Sequence, residues 1–263
     1  NSSIDLKRLK KEINELEKKI TIFHAKSVND FVKGYHIDLV GFHGQTIFHN
    51  VKEKLSIQIG NAELLSQLVK KNVVYNFRQN DLKNGGQGAP LTPIFHNLIA
   101  NKYLKKELDR TYSVNFINIG GISNLTKTVK WDKLDKKIEF IEACDIGPGN
   151  CLIDDWVRKN SKKRYDIDGS LASIGKTDRL ILNQALENFN ISPPFKDSLD
   201  IKDFDISFVK GLSLEDGVST LADFTSLQIS KAINYFKDPT KKSIFLVCGG
   251  GRKNKYLMES ILK

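Results

Sequence analysis

Nothing in the 263 residues approaches the roughly 18 consecutive apolar positions that a membrane span needs. The opening stretch, NSSIDLKRLKKEINELEKKI, has no apolar signal-peptide core, so the expected address is the cytoplasm. Cysteine is scarce. Cys144, Cys151 and Cys248 are an odd number with no C-x-x-C pair, which argues against a disulfide framework and a zinc knuckle and predicts reduced, buried thiols. The five histidines, His24, His36, His43, His49 and His96, show no H-E-x-x-H or comparable spacing, so a transition-metal site is not expected. Charge is present in excess, at +10 net, but it is spread through short runs such as KRLKK, YLKK and SKKR with no arginine-aromatic stripe. Solvated lysine faces explain it better than a nucleic-acid groove.

What is there is a soluble globular composition, 40% hydrophobic and 27% charged. Residues 4–20 predict an amphipathic helix, with Leu6, Leu9, Ile13, Leu16 and Ile20 at alternating three- and four-residue steps. Two heptads are too few for a coiled coil, and such a helix more often lies on its own domain than forms a homodimer contact. Short β-rich runs follow at 37–44, 55–60 and 73–77, with a helical pattern between the last two and another over 94–108. A domain boundary is expected at Asp109 to Tyr112. A second block opens with SVNFINIGGISNLTKTV (113–129) and KIEFIEACDIGPGN (137–150), and it closes with a buried strand, three glycines and a helix. Two β-rich blocks predict an α/β protein of two lobes, residues 1–111 and 112–263.

Three glycine turns, NIGGISN (118–124), DIGPGN (145–150) and VCGGG (247–251), each follow a strand-like run. Backbone N–H groups at such turns make anion sites when the fold leaves them unsatisfied. Neither G-x-x-x-x-G-K-[ST] nor G-x-G-x-x-G occurs, which disfavours a P-loop enzyme and a dinucleotide-binding dehydrogenase. One such turn alone is usually a tight hairpin; three in one block raise the case for a nucleotide. In the first block Asp81 stands four residues ahead of a loop carrying Gly85, Gly86 and Gly88. Glycine lets a ligand approach the main chain, although a plain turn is the commoner meaning.

The phrases GFHGQTIFH, SIQIGNAELLS, VVYNFRQNDLKNGGQGAPLTPIFH, NFINIGGISNLT, CDIGPGNCLIDDW, DGSLA, LSLEDGVSTLADFT and LVCGGG resemble, in order, the motifs of the anhydro-N-acetylmuramic acid kinases. The resemblance runs from about residue 37 to the end. It implies the two-lobed actin-like ATPase fold (ribonuclease H-like), with ATP and Mg2+ in a cleft, and an amino sugar as the other small-molecule substrate. The family hydrolyses the 1,6-anhydro bridge and phosphorylates O6 during peptidoglycan recycling. By the same resemblance Asp81 is the catalytic base, and His43, Gln45, Arg78 and Gln87 contact sugar; without the resemblance His43 reads as a core histidine bonded to a neighbouring carbonyl, and pairing of Arg78 to a phosphate or to Asp81 is left open. Gly120, Gly121 and Asn124 would face the triphosphate, Gly147, Gly149 and Asn150 would also fall in the cleft, and Gly249, Gly250 and Gly251 would form the adenosine turn. Asp145 would reach Mg2+ through water, or serve as an ordinary turn or cap residue.

Two departures from the family pattern stand out. Asn76 occupies the place of the aspartate in the family's DFR phrase, so no charge-dependent role is assigned to it. The family's first phosphate turn, resembling G-T-S-x-D-G-I-D, does not occur, Asn1 is not a start methionine, and the family's usual C-terminal portion is missing after VCGGG. These features lead to the expectation that the 263 residues are a fragment without activity of their own. The competing readings are a non-enzymatic remnant or basic binding protein, and a different small-molecule kinase of the same superfamily.

Overall fold

The computed structural model describes residues 9–104, 112–128, 142–189, 191–195 and 199–263. Contacts divide the chain into two compact units, Asn1–Leu91 and Thr92–Lys263. The boundary expected at 109–112 falls largely outside the described residues; the observed division places the helix after Leu91 with the second unit.

The first unit contains α1 (Lys10–Phe31), β1 (Leu39–Phe42), β2 (Gln45–Asn50), β3 (Leu55–Ile59), α2 (Ala62–Val69), β4 (Asn72–Tyr75) and α3 (Phe77–Lys83). β1 and β4 pair in parallel, and β2 and β3 form an antiparallel hairpin with a register shift between Thr46 and Phe48. Residues 4–8 of the expected first helix lie outside the described residues. Its seam differs from expectation, because Leu9 and Leu16 are exposed while Thr21 and Ala25 are buried. The Thr21 hydroxyl donates to the Glu17 carbonyl at 2.7 Å and accepts the Asn61 N–H at 2.9 Å, joining α1 to the start of α2. Small residues one turn apart allow that close approach. Ala25, Phe42, Ala62, Leu65 and Val69 form the core beneath them.

The second unit contains α4 (Thr92–Ile99), a π-helical turn (Ala100–Leu104), β5 (Tyr112–Ile119), β6 (Ile122–Lys127), β7 (Glu142–Pro148), α5 (Cys151–Asn160), α6 (Ser170–Ile174), α7 (Arg179–Asn188), α8 (Leu214–Phe236), β8 (Lys242–Cys248) and α9 (Lys255–Leu262). The sheet order is β7-β6-β5-β8, with β5 and β8 parallel and β6 antiparallel to both β5 and β7. β5, β7 and β8 therefore point the same way, and their C-terminal ends share one edge.

α8 was not anticipated from the sequence. It is buried on most sides, including Ser219, Thr220, Thr225 and Ser226, and these polar positions dilute an apolar period. Ile117, Ile119, Leu125, Ile146, Ile229, Ala232, Phe236 and Leu257 fill the space between sheet and helices. A fully buried leucine or isoleucine contributes about 1.5–3 kcal/mol relative to exposure, so this layer anchors the strand ends that carry the turns. Among the described residues no helix is long and apolar enough to cross a membrane.

Candidate active site

The parallel pairing of β1 and β4 brings two chain segments out on the same side of the first unit. His43 follows β1, and Arg78 follows β4. Asn76 turns the chain between β4 and α3 in the left-handed conformation, φ 62° and ψ 35°. Asparagine adopts that backbone with little penalty, which gives the residue a conformational role at this turn.

Arg78 Nε donates to His43 Nε2 at 2.8 Å, and Arg78 Nη1 donates to the Gly88 carbonyl at 2.8 Å. Arginine has only donors, so Nε2 of His43 is the acceptor and its Nδ1 carries the proton given to the Gly44 carbonyl at 2.8 Å. His43 is thus bonded to a neighbouring carbonyl, as an ordinary histidine would be, yet it is exposed and not in the core. Arg78 is engaged by His43 and Gly88; its pairing with Asp81, one of the two roles left open for it, is not what the structure shows.

Asp81 sits on α3 and accepts the Gly88 N–H through Oδ2 at 2.7 Å. The Asp81 carbonyl accepts the Gly86 N–H at 2.9 Å, so the loop folds back over the helix end. A β-carbon at Gly86 would collide with the Asp81 carboxylate. Glycine there leaves the carboxylate uncovered, which answers why an aspartate precedes this loop. Gln87 is exposed at the loop tip, and its backbone bonds His49. Gln45 begins β2 with an exposed side chain that, among the described residues, bonds only the Thr46 carbonyl, at 3.5 Å, so it stands apart from the cluster.

Sequence reasoning missed His49 and Gln79. His49 Nδ1 lies 3.0 Å from Ser56 Oγ, and burial and the Arg78 charge hold its imidazole below the usual range, against the Gln87 bond. The Gln79 side chain accepts the Ser56 N–H and donates to the Lys54 carbonyl, pinning α3 to the hairpin. No motif marks either residue: the Gln79 bonds cross 23 and 25 positions of chain, and His49 meets Ser56 only through the pairing of β2 with β3.

In the second unit the three glycine turns meet at the shared strand edge. Gly120 and Gly121 form the tight turn between β5 and β6. The N–H groups of Gly149 and Cys151 donate to the Gly121 carbonyl at 2.8 and 3.2 Å, and that of Asn150 to the Gly120 carbonyl at 2.7 Å. A β-carbon at Gly149 would collide with the Gly120 carbonyl. These donors are satisfied inside the unit, which departs from the sequence argument that they stand open toward an anion. Gly249 and Gly251 pack on Ile119 beneath the turn, whereas Gly250 opens onto free space. Gly147 is still within β7 and faces Gln228 of α8, so it packs.

A polar row crosses the sheet just inside this edge. Strand register places Asp145 beside Asn124, Asn124 beside Asn118, and Asn118 beside Cys248. Their neighbours Ile117, Ile119, Leu125 and Ile146 point to the opposite, α8-covered face. Cys248 Sγ lies 3.8 Å from Asn118 Oδ1, and Asp145 Oδ2 accepts the Leu199 N–H at 3.0 Å. The last bond is the ordinary turn role allowed for Asp145. Burial pushes the thiols of Cys144 and Cys151 up to about 12 and about 11, in keeping with inert structural cysteines.

Beside the turns lies a cavity of about 480 Å3 lined by Asn150, Asp154, Tyr165, Asp168, Gly250 and Lys253 among others. Its volume is within the range of small-molecule sites. Asp166, buried at its wall, accepts the Leu171 and Ala172 N–H groups at 2.8 and 3.2 Å and so fixes the start of α6. Asn254 closes the same wall by capping α9 through the Leu257 N–H at 3.0 Å.

The profile of one protein family, anhydro-N-acetylmuramic acid kinase, matches residues 5–263. The anhydro-N-acetylmuramic acid kinase of Pelagibacter ubique is 54% identical over 270 aligned positions, covering 100% of this chain and 69% of that protein. Those of Rhodopseudomonas palustris and Rhizobium etli are each 38% identical over 252 positions, covering 94% of this chain and 65% of each relative. The chain thus spans about two thirds of the length of the relatives it matches. A solved structure, the activator of the 2-hydroxyisocaproyl-CoA dehydratase from Clostridium difficile with bound ADPNP, aligns at 10% identity and a TM-score of 0.38 over 84% of this chain and 82% of that one. That likeness is too loose to argue from; the profile and the relatives suffice. This chain belongs to the anhydro-N-acetylmuramic acid kinase family.

Proposed function

We propose that the whole protein uses ATP to open the 1,6-anhydro bridge of anhydro-N-acetylmuramic acid and to phosphorylate O6. The products would be N-acetylmuramic acid 6-phosphate and ADP, formed in the cytoplasm during reuse of cell-wall fragments. The observation that carries this reading is the Asp81 carboxylate, steadied on Oδ2 by the Gly88 N–H and left uncovered by Gly86. Among the described residues Oδ1 takes no hydrogen bond, which suits it to receive a proton from water.

In this mechanism a water oxygen bonds C1 as its proton passes to Asp81. The C1–O6 bond breaks, and its electron pair stays on O6. O6 then attacks the γ-phosphorus of ATP, ADP departs with the electrons of the broken bond, and Asp81 returns its proton to solvent. His43, held by Arg78, and Gln87 at the loop tip would bind sugar, with Gln45 a further contact. Gly120, Gly121, Asn124, Gly149 and Asn150 would line the phosphates and Gly249 to Gly251 the adenosine, with residues 1–111 serving the sugar and 112–263 the nucleotide.

Mg2+ would neutralise phosphate charge when bound with ATP. Among the described residues there is no cluster of three or more histidine, cysteine or acidic side chains able to hold a metal. Such an ion would be carried mainly by phosphate and water, with Asp145, the carboxylate of the polar row, reaching it through water. The test is incubation of the whole protein with ATP and the anhydro sugar, followed by mass analysis. A product heavier than the substrate by one water and one phosphoryl group is expected; an unchanged sugar would refute the reading.

A further inference from the structure

The cavity beside the glycine turns holds three aspartates in different situations. Asp166 is committed to the N–H groups that start α6. Asp168 is exposed at the rim with φ 55°. Asp154 lies between them in character: it is half-buried on α5, and among the described residues no donor is hydrogen-bonded to its carboxylate. Burial pushes its pKa above the usual carboxylate range, eased by Arg158 and reinforced by the like charge of Asp166. A desolvated carboxylate on a cavity wall is costly unless a ligand supplies the missing donors.

The position of Asp154 identifies those donors. It stands four residues after Asn150, one helical turn or about 6 Å along α5 from the turn assigned to the phosphates. In a nucleotide the sugar follows the phosphates at that distance, and the base lies beyond. Tyr165 and Ile167, more than half exposed across the cavity, offer the apolar faces a base requires. Ribose presents two adjacent hydroxyls, and an ionised carboxylate accepts both.

Resting on the reading of these turns as a nucleotide site, we propose that Asp154 is the residue that selects ribonucleotides, by accepting hydrogen bonds from the ribose hydroxyls. Ribose recognition thus sits on the helix that follows the phosphate turn, so one element reads both groups.

The experiment is calorimetric titration of the full-length protein with ADP and with 2′-deoxy-ADP. The unsubstituted protein is expected to bind ADP roughly 10-fold or more tighter, the share of a charge-assisted hydrogen bond. Asp154→Ala should bring the two within about 2-fold, with Asp154→Asn intermediate; the latter carries the test if the former melts early. Equal binding of the two nucleotides by the unsubstituted protein, binding of neither, or a full preference kept in Asp154→Ala would overturn the proposal. Binding is read without turnover, so failure of the sugar reaction with this preference intact would count against the proposed function and not against Asp154.

Discussion

The Asp81 carboxylate accepts the Gly88 N–H at 2.7 Å, while Arg78 holds the carbonyl of the same glycine at 2.8 Å. Gly88 is therefore gripped on both sides of its backbone by residues three apart on α3. The Asp81 carboxylate proposed as the base and the glycine loop beside it are positioned together.

Asp81→Asn retains an oxygen that accepts the Gly88 N–H but cannot take a proton from water. Turnover in the whole protein should fall by roughly 100-fold or more while sugar and ATP still bind. Steady-state rates beside equilibrium binding check this, and near-normal turnover would remove Asp81 from its role.

Gly86→Ala places a methyl group against the Asp81 carboxylate without requiring a left-handed backbone. The carboxylate must move, so kcat should drop at least about 10-fold with little change in melting temperature. A variant with unchanged kcat would show that the base tolerates displacement.

Arg78→Lys replaces a two-armed donor with a single ammonium that cannot reach His43 Nε2 and the Gly88 carbonyl with the same geometry. The KM for sugar should rise by about 10-fold or more, and the KM for ATP should not. Parallel change in both would indicate general loosening of the fold.

His96 is buried, stacked on Phe116 with ring centroids 4.5 Å apart, and its Nδ1 lies 3.1 Å from Thr126 Oγ1. Burial holds its pKa below the ordinary 6.5. The unfolded chain therefore binds more protons as pH falls below 6.5, and the folded state is disfavoured. This contribution to stability is complete above that pH and is lost on acidification through the folded value. Melting curves across pH should show the second unit losing stability in that window, with the His96 resonances titrating late. A His96 that titrates at its ordinary value would contradict this.

Much of this was legible in the sequence because glycine leaves a local signature. The turns at Gly120, Gly149 and Gly249 follow apolar β-runs, and the structure sets all three at one strand edge. The loop after Asp81 was equally plain, since its glycines stand close together in the chain. The polar row from Asp145 to Cys248 was not legible, because it arises from the pairing of strands up to 130 positions apart. Nor was the cavity wall at residues 165–168, a short mixed segment with no period. The sequence shows α1 as a helix, but it runs on to Phe31 where an end at Ile20 is expected, and its buried seam passes through Thr21 and Ala25, because a close helix contact selects small residues over large apolar ones.

The most direct test of the central claim, that one site couples bridge opening to phosphoryl transfer, is the reaction of the whole protein in water enriched in heavy oxygen. The account predicts label at C1 of the sugar 6-phosphate and none in its phosphoryl group, because water attacks carbon and O6 attacks phosphorus. Label in released phosphate, with the anhydro bridge intact, would contradict it.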